Sequence, residues 1–294
     1  MQPSQATETW IARAWHTPYQ QETVTVTGCP INTLRWGNPD HPGVLLVHGG
    51  LAHAQWWRFI APLLSEHYYV VALDLSGHGD SGHRDSYDAH WLEEIITVRH
   101  TAGFNGPPVL VGHSMGGLLS VGVSAFYPDA WRATLIVDSP ITGFSDKNDR
   151  SDSPRGGPRR RCYDSLEAGV KRFRLLPHQP CESAELMGFI AASSLRRQEE
   201  GWTWKFDPHV FETSDRRPTA PLLNHIRCPW WLVRGEQSRV VKPDIEQAVR
   251  ELGLAAVPVI SIPRAHHHLL LDQPLAFITL LRTFLALHQP TAPA

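Results

Sequence analysis

Cysteine is scarce in this chain of 294 residues, with only Cys29, Cys162, Cys181 and Cys228. Their spacing forms no C-x-x-C pair, which excludes a dithiol redox motif and argues against a disulfide framework. Four isolated thiols in a chain of this length point instead to reduced residues in a reducing compartment. Charge of one sign is also missing: 27 Lys and Arg against 29 Asp and Glu leave a formal net charge of −2. A chain so close to neutral has no global field to draw it onto nucleic acid or an anionic membrane. Long hydrophobic runs are absent too, none approaching the roughly 18 residues of a membrane-spanning helix. The first residues, MQPSQATETWIARAWHTPYQ, show neither a basic n-region nor an apolar h-region, so no secretory signal is expected. These absences together lead to the expectation of a cytoplasmic protein whose partner is a small-molecule substrate, with no nucleic acid and no membrane; they leave its oligomeric state open.

What is present is a globular composition, 42% hydrophobic and 19% charged, in a chain long enough to bury a large core. No internal repeat is visible. Residues 22–27 (ETVTVT) alternate as a half-buried strand, and 30–36 follow as a hairpin partner across Gly28-Cys29-Pro30. Val44–Val47, Tyr69–Leu73, Val109–Val111, Thr134–Val137, Trp230–Val233 and Val257–Ile262 are continuous apolar runs, as expected of strands buried on both faces. Between them, residues 54–65, 88–102, 116–126, 244–252 and 274–287 carry apolar residues at helical spacing. This alternation predicts an α/β fold: a mostly parallel central sheet of about eight strands with helices on both faces.

The pattern breaks after Pro140. Residues 145–161 (SDKNDRSDSPRGGPRRR) are polar, with Arg interleaved with Asp, and predict a solvated mobile loop. Residues 162–217 read as irregular helices containing Trp202 and Trp204, and the strand pattern resumes at Trp230. The expected organisation is therefore a core of residues 1–140 and 222–294 with a helical lid or cap inserted at 141–221.

The chemistry-bearing residues sit at the ends of predicted strands. Residues 109–117, VLVGHSMGG, place G-x-S-x-G between a buried strand and an apolar helix. A serine on so sharp a turn needs very small neighbours two positions away, and its hydroxyl then projects at a helix N-terminus. Ser114 is the candidate nucleophile. Upstream, the strand Val44–Val47 runs into His48-Gly49-Gly50, a loop able to turn an N–H toward an oxyanion. Gly50, with Leu51 as the alternative, and Met115 are the candidate oxyanion donors, and His48 is read as a structural residue of that loop.

LLVHGG (45–50), ALDLSGHGDSG (72–82), VGHSMGG (111–117) and AHHHLLLDQP (265–274), in this order, resemble the α/β-hydrolase family over about residues 22–287. In that family Asp74, Gly77, Gly79 and Ser81 would be structural, and the 141–225 insertion would correspond to the variable lid. Counting back from Pro274 as the resemblance implies gives His267 as the catalytic histidine. The adjacent His266-His267-His268 triplet could also be read as a metal site, but neighbouring side chains on an extended loop diverge and no Cys or carboxylate cluster completes it. The family commonly reads Gly-x-x-Asp after the strand ending at Val233, whereas this chain reads Gly235-Glu236-Gln237-Ser238. Either the triad is broken or its acid comes from elsewhere. Asp138, at the end of Leu135-Ile136-Val137-Asp138, keeps the order nucleophile, acid, histidine, with Glu236 as the alternative. Asp272 is expected to cap the helix starting at Pro274.

The resemblance implies a serine hydrolase cleaving a carboxylic ester of a small hydrophobic substrate through an acyl-enzyme, with no metal or organic cofactor. Trp56, Trp57, Trp202 and Trp204 are candidate pocket or core residues. A C–C bond hydrolase, lactonase, amidase or perhydrolase would use the same residues, and a crippled triad would leave a ligand-binding protein.

Overall fold

The computed structural model describes residues 9–142, 161–211 and 219–289. All but one residue of the polar segment 145–161 thus lies outside the described residues. The chain opens with helix α1 (Trp10–His16), capped by the Thr9 hydroxyl accepting from the Ala12 N–H at 3.1 Å. Strands β1 (Gln20–Val26) and β2 (Cys29–Trp36) form the expected hairpin. They are followed by β3 (Gly43–Val47), β4 (Tyr69–Leu73), helix α2 (Asp88–Thr101), β5 (Val109–His113), α3 (Met115–Phe126) and β6 (Ala133–Val137). An insertion contributes α4 (Leu166–Val170), α5 (Ala184–Ser193) and a two-stranded hairpin of β7 (Leu195–Gln198) with β8 (Gly201–Trp204). The core resumes with β9 (Trp230–Gly235), α6 (Ile245–Glu251), β10 (Val259–Ile262), α7 (Leu269–Asp272) and α8 (Pro274–Leu287).

Eight strands form one sheet in the order β1-β2-β4-β3-β5-β6-β9-β10. The pairs β1–β2 and β2–β4 are antiparallel, and β4–β3, β3–β5, β5–β6, β6–β9 and β9–β10 are parallel. The apolar runs explain this arrangement, because a strand covered on both faces needs apolar residues at every position. On β3 and β4, Val44, Leu46, Val70 and Ala72 pack toward α1 and α8, while Leu45, Val47, Val71 and Leu73 pack toward α2. A third cluster, with Ile136, Leu232, Ile245 and Val249, closes the sheet beside α6. Each Val, Leu or Ile side chain so buried contributes about 1.5–3 kcal/mol of transfer free energy.

Three expectations need correction. Residues 54–65 form two short 3₁₀ turns, Ala54–Trp57 and Ala61–Leu63, in place of one helix. Pro62 lacks the N–H an α-helix requires and disfavours helical backbone at the residue before it. Trp202 and Trp204 lie on the β7–β8 hairpin and not on a helix. Trp204 is half-buried and packs against Tyr163 and Phe173 within the insertion. Asp272 does not cap α8; its carboxylate accepts from the His266 N–H at 2.6 Å and from Gln179 Nε2 at 2.7 Å. The local Asp-x-Pro pattern was outcompeted by a tertiary contact with the insertion.

Candidate active site

Parallel strands bring their C-terminal ends to one edge, and the candidate residues follow directly from those ends. Ser114 comes immediately after β5, Asp138 after β6, and Gly49-Gly50 just after β3, while His267 lies on the turn beyond β10. The Ser114 N–H donates to Val137 O at 2.8 Å, and the Asp138 N–H to Val233 O at 2.7 Å, so each turn is fastened to the adjacent strand. Ser114 sits at φ 53°, ψ −117° and Asp138 at φ 43°, both in left-handed backbone. Such backbone costs about 1–3 kcal/mol per residue and persists only where the surroundings enforce it. The glycines around Ser114 meet a steric demand. A Cβ on Gly112 would collide with the Gly116 carbonyl and with Ser120 Oγ, and one on Gly116 with the carbonyls of Val47 and His48.

The Asp138 carboxylate is fully buried and has three donors. Oδ1 accepts from the Gly235 N–H at 2.8 Å, and Oδ2 accepts from Ser238 Oγ at 2.6 Å and from His267 Nδ1 at 2.6 Å. With Nδ1 donating, neutral His267 keeps its Nε2 lone pair free to act as a base. Glu236 is exposed and accepts the Arg264 N–H at 2.8 Å, so it is not brought to His267. Ser114 is half-buried, and no described group accepts its hydroxyl proton. In unliganded hydrolases the nucleophile–base contact often tightens only when substrate is bound.

The loop after β3 lies against the elbow: a Cβ on Gly49 would stand 3.2 Å from Ser114 Cβ and 3.0 Å from His113 Nδ1. Among the described residues, no group accepts from the Gly50 or Met115 N–H, which leaves both donors available. Phe211 of the insertion rests on Gly50, its Cζ 2.7 Å from where a Cβ would be. Trp56 and Trp57 are both core: Trp57 is in ring contact with Phe277, and Trp56 with His268 and Phe173 at ring-centroid distances of 5.3 and 6.5 Å.

His48 holds its loop, as its sequence position suggested. Its Nδ1 donates to Gly49 O at 2.7 Å and its Nε2 accepts the Leu75 N–H at 3.0 Å. Asp74 likewise fastens the loop after β4, accepting from Ala54 N, Asn32 Nδ2 and Asp80 N. The three consecutive histidines diverge: His266 turns to Asp272, His267 to Asp138, and His268 donates through Nε2 to Leu176 O at 3.0 Å. His113, His267 and His268 do bring ring nitrogens within 4.8 Å of one another. Each ring is committed through one nitrogen, since His113 Nε2 donates to His267 O, and the remaining His113 Nδ1 packs against Gly49. That set is organised to orient His267.

Burial lowers His48 to a pKa of about 4 and, with the neighbouring His267, lowers His113 to about 3. Burial pushes His53, His78 and His268 well below the usual histidine value as well. The unfolded chain binds protons at these histidines near pH 6.5 while the folded chain does not. Stability is therefore present above pH 6.5 and lost as pH falls. Between pH 7 and 5 His48 and His113 each cost about 2 kcal/mol. Asp74, which burial raises to about 6, and Glu94 and Asp272, which burial also raises, act in the opposite direction, since they take up protons when folded. The five histidines outweigh these three carboxyls, so the urea midpoint should be markedly lower at pH 5 than at pH 7.5. Equal midpoints would contradict this assignment of neutral buried imidazoles.

Three comparisons bear on the whole arrangement. Residues 44–280 match the alpha/beta hydrolase family, and the chain belongs to that family. It is 27% identical over 273 residues to an esterase of Mycobacterium tuberculosis, covering 89% of this chain and 88% of that one. A human serine hydrolase-like protein is 32% identical over 110 residues, which span 36% of this chain and 54% of the human one. Among solved structures, an E-2-(acetamidomethylene)succinate hydrolase superposes with a TM-score of 0.82 at 22% identity, over 92% of this chain and 100% of that one. The family confirms the expected architecture of a mostly parallel eight-stranded sheet with helices. No helix among the described residues is long and apolar enough to cross a membrane.

Proposed function

We propose that the protein is a serine esterase that cleaves a carboxylic ester of a small hydrophobic substrate through an acyl-enzyme. The observation that carries this reading is the 2.6 Å hydrogen bond from His267 Nδ1 to the buried Asp138 carboxylate, one strand away from a strained elbow serine. In this mechanism His267 Nε2 takes the Ser114 proton as Oγ attacks the ester carbonyl, and Asp138 holds the imidazole and stabilises its cation. The Gly50 and Met115 N–H groups receive the oxyanion, each worth about 3–4 kcal/mol in the transition state. His267 then protonates the departing alcohol, and a water activated by the same nitrogen releases the acid. No step calls for a metal or organic cofactor.

The substrate class rests on the half-buried aromatic rings of the insertion, Phe211 against the Gly50 loop and Phe173 against Trp56, which itself packs on His268. The insertion that supplies Phe173 and Phe211 acts as the lid. Sequence similarity to an esterase supports the same reaction class. The test is treatment with a fluorophosphonate followed by intact-mass and peptide mapping. One adduct on Ser114, together with turnover of short-chain nitrophenyl esters, is expected. A protein that neither labels nor turns over these esters would favour ligand binding without catalysis.

A further inference from the structure

We propose that Ser238 is a positioning residue of the active site, whose hydroxyl holds the Asp138 carboxylate where His267 needs it. The inference rests on the triad reading above. Ser238 is buried, and its hydroxyl does two things at once. It donates to Asp138 Oδ2 at 2.6 Å, and it accepts the N–H groups of Val240 and Val241 at 3.1 and 3.2 Å. Those two backbone donors occupy the oxygen's lone pairs, so its single proton has one direction left, toward Asp138. The orientation of the hydroxyl is thereby fixed by the main chain of the turn after β9.

The consequence lies in which oxygen is contacted. Oδ1 is fixed by the Gly235 N–H, whereas Oδ2 is the oxygen that receives His267. Without Ser238 the only fixed donor to the carboxylate is the Gly235 N–H on Oδ1, Oδ2 is held by the His267 imidazole alone, and its full share of charge is turned toward that ring. The Ser238 donor restrains Oδ2 and withdraws part of the charge. The restraint aligns the imidazolium formed in the transition state and is read in kcat, whereas the shared charge sets how readily the imidazole is protonated and is read in the pH profile.

The experiment compares wild type with Ser238→Ala and Ser238→Thr, each normalised to the fraction of protein titrated by fluorophosphonate. In Ser238→Ala, kcat is expected to fall about tenfold, equivalent to about 1.4 kcal/mol, with KM little changed. The acid limb of kcat/KM should move to higher pH, because an unshared carboxylate charge favours the protonated imidazole. Ser238→Thr, which keeps the hydroxyl, should restore both. A merely structural serine would lower the titratable fraction or the melting temperature and leave kcat per active site and the pH profile alone. That outcome overturns the proposal, as does a threonine variant that behaves like alanine. Wild type that fails to label at Ser114 would instead overturn the triad reading itself, so the two failures are distinguishable.

Discussion

Ser114→Ala should lower kcat for ester hydrolysis by about a million-fold while leaving the fold intact. The size follows from the division of labour in the site. Asp138 and His267 act only through the Ser114 oxygen, so removing that oxygen silences all three at once, and their contributions cannot be added. What survives is the donor pair of Gly50 and Met115, which can still polarise a carbonyl for attack by bulk water. The fold survives because every described hydrogen bond of Ser114 is made by its backbone. Its N–H donates to Val137 O, and its carbonyl accepts the N–H groups of Gly117 and Leu118. Alanine keeps all of these. Steady-state hydrolysis beside a thermal melt tests it: loss of activity with an unchanged melting temperature is expected. An alanine variant retaining a tenth of wild-type turnover would exclude Ser114 as nucleophile.

The parallel sheet was legible in the sequence because strands buried on both faces leave an unmistakable record of unbroken apolar runs. The elbow was legible for a different reason: the glycines at 112 and 116 are demanded by contacts only a few residues away in sequence or one strand away in space. Legibility ended where a residue's role depends on a partner far along the chain. Nothing in the sequence of Thr9-Trp10-Ile11 singled out a helix, yet α1 docks beside α5, where Trp15 stacks on Phe189 at 5.0 Å. Asp272 carried a local capping signal that a contact with Gln179, 93 residues upstream, overrode. Ser238 is the most instructive position. Read along the chain, it marks where a carboxylate is missing; in three dimensions its hydroxyl touches the Asp138 carboxylate, 100 residues away. No local pattern signals that pairing, because it depends on β6 and β9 lying side by side.

Asp138→Asn should lower kcat about 10⁴-fold, even though asparagine is nearly isosteric with aspartate. The donors around Asp138 dictate which way the amide must turn. The Gly235 N–H at Oδ1 can only donate, so the amide oxygen has to take that position. The NH₂ group then falls where Oδ2 was, facing His267 Nδ1. An NH₂ cannot accept, so Nδ1 must offer its lone pair and the ring proton moves to Nε2. The nitrogen that should take the Ser114 proton is then already protonated, and the cation formed in the transition state has no anion beneath it. Stability should fall modestly, because the Ser238 hydroxyl, whose lone pairs are taken by the Val240 and Val241 N–H groups, then faces the NH₂ without an acceptor. Glu236→Gln, at an exposed carboxylate bound to the Arg264 N–H, should stay within about twofold of wild type for the converse reason: surface carboxylates of this kind contribute little. Labelling rates with a fluorophosphonate follow the same base and should fall in parallel for Asp138→Asn alone. A normal rate for that variant, with a loss in Glu236→Gln, would place the acid on the turn after β9 and would require His267 to leave the carboxylate it now holds.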